Sequence, residues 1–147
     1  MARANTLAVM AAAAVVLVHL LQAPTCADAR RHRDPSPGGG TRAVMTVNGF
    51  QRGEEGGGPS ECDGHFHSDG EMIAALSTPW YAHGRRCHKK IRITSAHNGR
   101  TVEARVVDEC DTGGGCRGNV VDTSRAVWEA LGLDTSAGVV PVTWSDA

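Results

Sequence analysis

The N-terminal segment of the chain has the pattern of a secretory signal peptide. Arg3 is the one charged residue that precedes an almost wholly apolar stretch, residues 7–21, and small residues follow that stretch. Cleavage after Ala27 or after Ala29 would fit this pattern. A membrane anchor is the weaker interpretation, because the stretch is shorter than the roughly 20 residues that span a bilayer. We therefore expect residues 1–27 to be removed and the mature protein to be secreted.

Removal of this segment also changes the cysteine count, because Cys26 leaves with it. Cys62, Cys87, Cys110 and Cys116 remain, and an even number of cysteines in an oxidising compartment predicts two disulfides. Their spacing is not that of a zinc knuckle or ribbon. Three pairings are possible. The short loop between Cys110 and Cys116 favours that pair, which leaves Cys62 for Cys87.

The composition of the remaining part predicts one small domain. About 120 residues suffice for a single domain, but aromatic content is only 4% and the chain has 18 glycines, so the core is modest and cross-links would help to stabilise it. The formal net charge of −1 gives no general electrostatic attraction to nucleic acid or to a membrane. We expect no cofactor and neither of those partners.

The chain divides into a linker and a globular part. Residues 28–42 are basic and then rich in Pro and Gly, and they lack apolar residues that could pack, which predicts a disordered linker. The globular part is expected to cover residues 43–147 and to begin with a strand over residues 43–47. Residues 51–60 form a Gly-rich loop, and residues 71–76 are expected to form one or two helical turns.

The clearest periodicity predicts a β-hairpin. Ile91 and Ile93 alternate with polar residues, and apolar residues alternate with polar ones again over residues 101–106. Such alternation is typical of half-buried strands. The intervening Asn98 and Gly99 favour a tight turn between them.

The last third of the chain predicts a short helix and a closing strand. Residues 122–131 have a helical pattern, with Asp122 or Thr123 as the capping residue. Residues 139–144 are expected to form a strand, and Pro141 favours a position at an edge or at the end of that strand. The chain is therefore mainly β, with one or two short helices.

A short repeat accompanies this pattern. The tripeptide Val-Val-Asp occurs at residues 106–108 and again at residues 120–122. Each time, an apolar pair leads into an aspartate at a strand end. Three residues repeated once are a weak indication of an internally duplicated barrel.

Four segments of the globular part carry a family resemblance. PSECD, ALSTPWY, VVDECD and VTWS occur in this order and at characteristic spacings, and together they resemble the kiwellin, or ripening-related, family of plant secreted proteins. The resemblance implies a six-stranded double-psi β-barrel stabilised by disulfides and related to the barwin and expansin folds. It also implies an apoplastic protein of plant defence or fruit ripening that is not an enzyme.

The resemblance also implies a kind of partner. Some kiwellins bind and block secreted fungal effectors, including a chorismate mutase, so we expect a non-enzymatic binder of an extracellular, microbial protein. The alternative is binding or loosening of cell-wall polysaccharide, as in expansins. The chain differs from longer kiwellins in two ways: it lacks their cysteine-rich N-terminal module, and its link over residues 111–118 is shorter. The shorter link removes surface that a partner could contact.

Asp108 is the carboxylate of greatest interest. In a strand that alternates inward and outward side chains, Asp108 falls on the same face as the inward apolar residues Val102, Ala104 and Val106. This predicts a position at the mouth of the barrel. It could act as a general acid, but glycoside hydrolysis ordinarily needs two carboxylates. Glu109 has the opposite parity and Asp111 lies in a Gly-rich loop, so no second carboxylate is evident. We favour a structural role in which Asp108 accepts loop amides.

Two further groups could bind ligands. Alternating Asp63, His65, His67 and Asp69 would share one face of an extended segment, as a metal site requires, but a polar surface loop is the favoured interpretation. A basic run surrounds Cys87. Its members are Arg85, Arg86, His88, Lys89, Lys90 and Arg92.

This basic run could form a patch for an acidic partner, although the solvated face of a strand is the simpler interpretation. Trp80 and Tyr81 precede the run and could be anchors of an interface, since Trp, Tyr and Arg dominate binding hot spots, or they could pack in the core. No catalytic residue and no metal ligand is assigned. The candidate binding residues are Trp80, Tyr81, Arg85, Arg86, Asp108 and Asp111.

Overall fold

The computed structural model describes residues 39–54 and 56–147. In this part of the chain six strands close into one barrel, in the order β1-β5-β2-β4-β3-β6. The strands are β1 (Thr41–Val47), β2 (Ile73–Ser77), β3 (Lys90–Ser95), β4 (Thr101–Cys110), β5 (Val120–Thr123) and β6 (Val139–Asp146). The helices are α1 (Thr78–Tyr81) and α2 (Arg125–Leu131), with a 3₁₀ turn at Thr135–Ala137. The predicted signal peptide lies outside the described residues.

Two parallel strand pairs define the topology. β1 runs parallel to β5 and β2 runs parallel to β4, whereas all other neighbours in the barrel are antiparallel. The two copies of the Val-Val-Asp tripeptide lie in β4 and β5, which are the second strands of the two parallel pairs. The repeat in the sequence therefore corresponds to two strands in equivalent positions of the barrel.

The interior of the barrel is filled by alternate residues of its strands. Met45, Ile91 and Ile93 have no exposed surface, and α2 contributes the fully buried Trp128. The predicted hairpin is confirmed, since β3 and β4 pair with Ile91 opposite Ala104. None of the helices in the described residues is both long enough and apolar enough to cross a membrane.

A second, smaller apolar cluster lies on the outer face of the barrel. Ala74 and Leu76 of β2 belong to the interior, whereas Ile73 and Ala75 pack with Phe50 and other residues in the second cluster. All five residues of β2 are therefore buried. The prediction of helical turns over residues 71–76 was wrong, because a strand that is buried on both faces shows no alternation.

Two element boundaries differ from the predicted ones. β1 begins at Thr41, which pairs with Trp144, so two residues of the predicted linker belong to the barrel. Helix α2 begins at Arg125, because Asp122 and Thr123 are residues of β5 and not helix caps. Ser124 is the N-cap, and its hydroxyl donates to the carbonyl of Glu71 instead of accepting from an amide of the helix.

Pro141 lies inside β6 and not at a sheet edge, which corrects the predicted edge position. β6 is flanked by β1 and β3. The ladder with β3 ends at the pair Ser95 and Val142, and the carbonyl of Pro141 accepts from the amide of Ala96 just beyond that pair. The missing amide of the proline thus falls where the ladder ends, so no inner hydrogen bond is lost.

Candidate functional site

The strands β2, β4 and β6 end at the same end of the barrel. Helix α1 follows β2 directly, and the segment 82–89 connects it to β3. The segment 111–118 follows β4 and leads into β5. We call α1 together with the segments 82–89 and 111–118 the loop end, because most of the candidate binding residues lie there.

Two disulfides fix the loop end, and both predicted pairings are confirmed. Cys62 is bonded to Cys87, with 5.5 Å between their Cα atoms, and Cys110 is bonded to Cys116, with 5.6 Å between theirs. The first bond joins the segment before β2 to the segment before β3. The second closes the segment that follows β4.

Tyr81 belongs to the core and is not an interface anchor. It is 7% exposed, and its hydroxyl lies 3.4 Å from the sulfur of Cys87 and 3.9 Å from that of Cys62. Burial raises the pKa of the Tyr81 hydroxyl, and neighbouring carboxylates, Glu61 foremost, raise it further. The ring therefore supports the first disulfide from inside the domain.

Trp80 and Arg86 form a clamp over Trp144. The half-buried Trp80 ring lies 5.1 Å from the Trp144 ring at 58°, and the guanidinium of Arg86 lies 5.2 Å from the Trp144 ring centre. Arg86 Nη1 donates to the carbonyl of Trp80 at 2.7 Å, and Arg86 Nε donates to Asp146 Oδ1 at 3.0 Å. This hydrogen bond from Arg86 lowers the pKa of Asp146. Arg86 is thus used within the domain, whereas the adjacent Arg85 is exposed.

Asp111 organises the segment after β4. Its carbonyl accepts from the amides of Gly114 and Cys116, both at 3.1 Å, and its carboxylate accepts from the amide of Gly113 at 2.7 Å. The next amide, that of Thr112, donates to the hydroxyl of Thr78 in α1 at 3.1 Å. The segment 111–118 is therefore attached to helix α1 as well as to the end of β4.

The basic run separates into paired and unpaired side chains. Lys90 and Arg92 lie on the outer face of β3 and both pair with Glu103 of β4, as the interpretation of a solvated strand face requires. Arg85 is exposed and has no ion pair among the described residues, and the same is true of Arg117 beyond the second disulfide. The loop end thus carries two exposed arginines, Arg85 and Arg117, that have no ion pair within the described part of the chain.

A β-bulge moves Asp108 from the predicted barrel mouth to the outer face of the barrel. Ala74 pairs with Val106, but Ala75 pairs with Asp108, so Val107 is an extra residue and the alternation in β4 changes face there. Val107 packs in the outer cluster with Ala75. A bulge is visible only when a strand is compared with its neighbour, so the sequence of β4 alone does not reveal it. The prediction that Asp108 lies on the inner face, which assumed regular alternation, was therefore wrong.

Asp108 is held by backbone amides, in agreement with the favoured structural role. Its Oδ1 accepts from the amides of Glu61 and Glu109, each at 2.8 Å. Burial raises the pKa of Asp108; these two hydrogen bonds oppose that effect, and the charges of Glu61 and Asp63 add to it. Asp108 thereby anchors the segment that precedes Cys62 to the outer face of β4.

Asp122 is a second carboxylate on the same outer face, which the prediction had not found. It pairs with Ala75 from the side opposite Asp108, and it accepts a hydrogen bond from the hydroxyl of Thr46. Burial raises its pKa despite that hydrogen bond, and the charge of Asp108 raises it further. The repeated Val-Val-Asp tripeptide was the signal, but Asp122 had been interpreted as a helix cap.

The aromatic residues do not form an exposed platform. Trp128 is completely buried and its Nε1 donates to the carbonyl of Thr46 at 3.2 Å, while Trp144 is 4% exposed. Tyr81 is buried as well, so Trp80 is the only partly accessible ring among the three tryptophans and Tyr81.

The alternating Asp and His residues do not converge on one point. His67 Nε2 lies 3.1 Å from Asp63 Oδ2, whereas Asp69 accepts from the amide of Phe50 at 3.0 Å. His65 is exposed. Burial would raise the pKa of Asp63, but hydrogen bonds from the His65 amide and from His67 outweigh it and lower the pKa. Within the described residues no group of three such side chains is placed to hold a metal ion.

Comparison with known sequences gives consistent matches. The family model described as Kiwellin-1 matches residues 22–147. The putative ripening-related protein 6 of Oryza sativa subsp. japonica is 55% identical in an alignment that covers all of both chains. The kiwellin of Actinidia chinensis var. chinensis is also 55% identical, over 73% of this chain and 54% of its own.

Comparison with solved structures gives the same architecture. The expansin of Clavibacter michiganensis has a TM-score of 0.58 and 26% identity, over 73% of this chain and 50% of the expansin. A GH45 endoglucanase has a TM-score of 0.53 at 18% identity, over 75% of this chain and 82% of its own, and this likeness concerns the fold alone. The six-stranded barrel is thus the double-psi β-barrel that was predicted, and the chain belongs to the kiwellin, or ripening-related, family of plants.

Proposed function

We propose that this ripening-related protein is secreted into the apoplast and works there as a non-enzymatic binder, which recognises and inhibits effector proteins secreted by microbes. The observation that supports this most directly is the attachment of the segment 111–118 to helix α1. The amide of Thr112 donates to the hydroxyl of Thr78 in α1, and a disulfide anchors each of the segments 82–89 and 111–118. The loop end is therefore a preformed surface.

A preformed surface favours affinity. A side chain or loop that is ordered before binding loses less conformational entropy when the complex forms. The segment 111–118 contains three consecutive glycines, Gly113 to Gly115, which would make a free loop costly to order. Its hydrogen bonds to Asp111 and its disulfide have already fixed it in the unbound protein.

The chemistry of the loop end suits a protein partner. Arg85 and Arg117 are exposed without ion pairs among the described residues, and arginine contributes strongly to interface hot spots. The half-buried Trp80 of α1 adds a partly accessible aromatic ring. Exposed carboxylates, Asp111 and Glu61, make the surface mixed in charge, which would support recognition of a specific pattern and not of acidic surfaces in general.

The class of partner is proposed from the family. A secreted fungal chorismate mutase is the effector that we propose to test first. Calorimetry would compare the mature protein with its Arg85→Ala and Arg117→Ala variants. A true anchor should lose about 2 kcal/mol or more of binding free energy on truncation.

The matched control is Arg125→Ala. Arg125 is also exposed and without an ion pair among the described residues, but it begins α2 at the opposite end of the barrel. If both loop-end variants and the control bind as tightly as the parent, the contact surface is not the loop end. A pull-down from apoplastic fluid of infected tissue, with the same three variants, extends the test to other partners.

A second candidate function is binding or loosening of cell-wall polysaccharide. Two observations favour it: Asp108 and Asp122 lie on one outer face on either side of Ala75, and an expansin is 26% identical. The burial of the aromatic rings counts against it, because a polysaccharide chain would lack a platform for stacking. Sedimentation with insoluble cellulose decides the matter: binding that is lost in Asp122→Asn but kept in Arg85→Ala would favour this alternative.

A further inference from the structure

The two disulfides are embedded in the domain in different ways. Cys62 and Cys87 both pack against the main core, and the Tyr81 hydroxyl lies near both of their sulfurs. In the second disulfide, Cys110 packs against the outer apolar cluster. Cys116 is part of neither cluster, and its sulfur lies 3.5 Å from the carbonyl of Arg117 in an exposed segment. All four cysteines are partly buried, but the exposed segment before Cys116 offers a reagent a route to the second disulfide from that side.

The second disulfide also holds a smaller part of the structure. It closes a loop with a sequence separation of 6, whereas the first spans 25 residues. Residues 111–115 are all exposed and three of them are glycines, so the bond is the main covalent restraint on a segment of high intrinsic freedom. β4 itself is held by its ladders with β2 and β3, which do not depend on this bond.

From these differences we infer that the Cys110–Cys116 disulfide is a redox latch for the loop end. A dithiol reductant of the thioredoxin class opens it while the barrel stays folded, and the freed segment 111–118 then loses the preformed shape that the partner recognises. This inference rests on the proposed function, because it concerns control of the same surface.

The chemistry is thiol–disulfide exchange. One thiolate of the reductant attacks the sulfur of Cys116, and Cys110 leaves as a thiolate and takes up a proton. The positive charge of the adjacent Arg117 favours approach of the thiolate. The second thiol of the reductant then displaces Cys116 from the mixed disulfide. The products are the oxidised reductant and two protein thiols, so two electrons pass to the protein.

A partner-independent experiment tests the latch itself. The folded mature protein is titrated with reduced thioredoxin, the free thiols are alkylated, and mass spectrometry identifies the modified cysteines. Cys110 and Cys116 should become alkylated at reductant concentrations at least tenfold lower than Cys62 and Cys87. Amide exchange should speed up over residues 111–118 and stay slow in β4. Simultaneous opening of both disulfides, or earlier opening of the first, would overturn the inference.

A second experiment tests whether the latch controls recognition. The double variant Cys110→Ser/Cys116→Ser reproduces the open state without a reductant. It should bind the secreted fungal chorismate mutase at least tenfold more weakly than the oxidised parent, with an unchanged circular dichroism spectrum. Equal affinity would refute control by the latch while leaving the proposed binding intact. Failure of the oxidised parent to bind would count against the proposed function, and the thiol titration would still decide the latch.

Discussion

Arg86 Nε lies 3.0 Å from Asp146 Oδ1, and this contact ties the segment before β3 to the last residue of β6. The same guanidinium binds the carbonyl of Trp80 and lies over the ring of Trp144. One side chain thus joins three elements at the loop end. The contribution of Arg86 to stability can be measured separately from that of the adjacent, exposed Arg85.

Replacement of Arg86 by Ala should destabilise the protein by about 1–2 kcal/mol, because a charge-assisted hydrogen bond and a cation–π contact are lost together. Denaturant unfolding gives the free energy. The ion pair lowers the pKa of Asp146, so its contribution is present above the ordinary aspartate pKa and is lost as the pH falls through the lowered value. The free energy of unfolding of Arg86→Ala should therefore fall less than that of the parent as the pH is lowered. Arg85→Ala, whose side chain is exposed, should resemble the parent in both respects.

Asp122→Asn should change the pH dependence of stability at the other end of the range, where the pH rises, because the pKa of Asp122 is raised and that of Asp146 is lowered. Burial raises the pKa of Asp122, so the folded state holds the proton more tightly than the unfolded state. Its contribution to stability is therefore present at low pH and is lost as the pH rises through the raised value. Asparagine can still accept from Thr46 but does not titrate. The free energy of unfolding of the variant should decline less than that of the parent as the pH rises above the ordinary aspartate pKa of about 4. An unchanged decline would show that Asp122 is not the titrating group.

Asp108→Ala should cost more stability than Asp108→Asn. Alanine leaves the amides of Glu61 and Glu109 without their acceptor. The loss should be about 1 kcal/mol or more, because the Glu109 amide is part-buried whereas that of Glu61 can turn to solvent. The side-chain oxygen of asparagine can replace Oδ1. We expect no measurable hydrolysis of β-glucans or chitin by the parent or by either variant. Reducing-sugar release by the parent that disappears in a folded Asp108→Asn protein would contradict the assignment of a structural role.

The two disulfides should differ in their contribution to stability. With loop lengths of 25 and 6 residues, restriction of the unfolded chain predicts about 3.5 kcal/mol for Cys62–Cys87 and about 2 kcal/mol for Cys110–Cys116. Thermal unfolding of the two double serine variants measures the difference. The order should hold even if both values are smaller, because the first pair also packs against the core. A larger loss in the Cys110 and Cys116 variant would contradict this ranking.

The sequence predicts well those features that are determined locally. The hairpin of β3 and β4 follows from alternation and from the Asn98-Gly99 turn, where Gly99 adopts a φ of 71°. The pairing of Cys110 with Cys116 follows from a short loop. What the sequence does not predict depends on the rest of the barrel. The two faces of β2 are buried by the barrel interior and by the outer cluster, and the bulge at Val107 exists only relative to β2.

The candidate site shows the same division. The position of the candidate residues near two disulfides could be predicted, because arginines, aromatic residues and cysteines are concentrated there in the sequence. The role of each residue could not, since Tyr81 and Arg86 are used by the core and the clamp, while Arg117 had not been singled out. Asp122 was misassigned because strand β5 and helix α2 follow each other with only Ser124 between them.

The closed barrel restricts how a partner can be recognised. Every strand in the described residues has a neighbour on both sides, so the sheet offers no free row of amides and carbonyls. An extended peptide cannot attach itself as an additional strand, which is a common way for sheet proteins to capture flexible ligands. The same closure removes the edges through which such sheets aggregate. Selectivity therefore depends on side chains and loops alone, and relatives can acquire new partners by changing these without altering a single backbone hydrogen bond of the barrel.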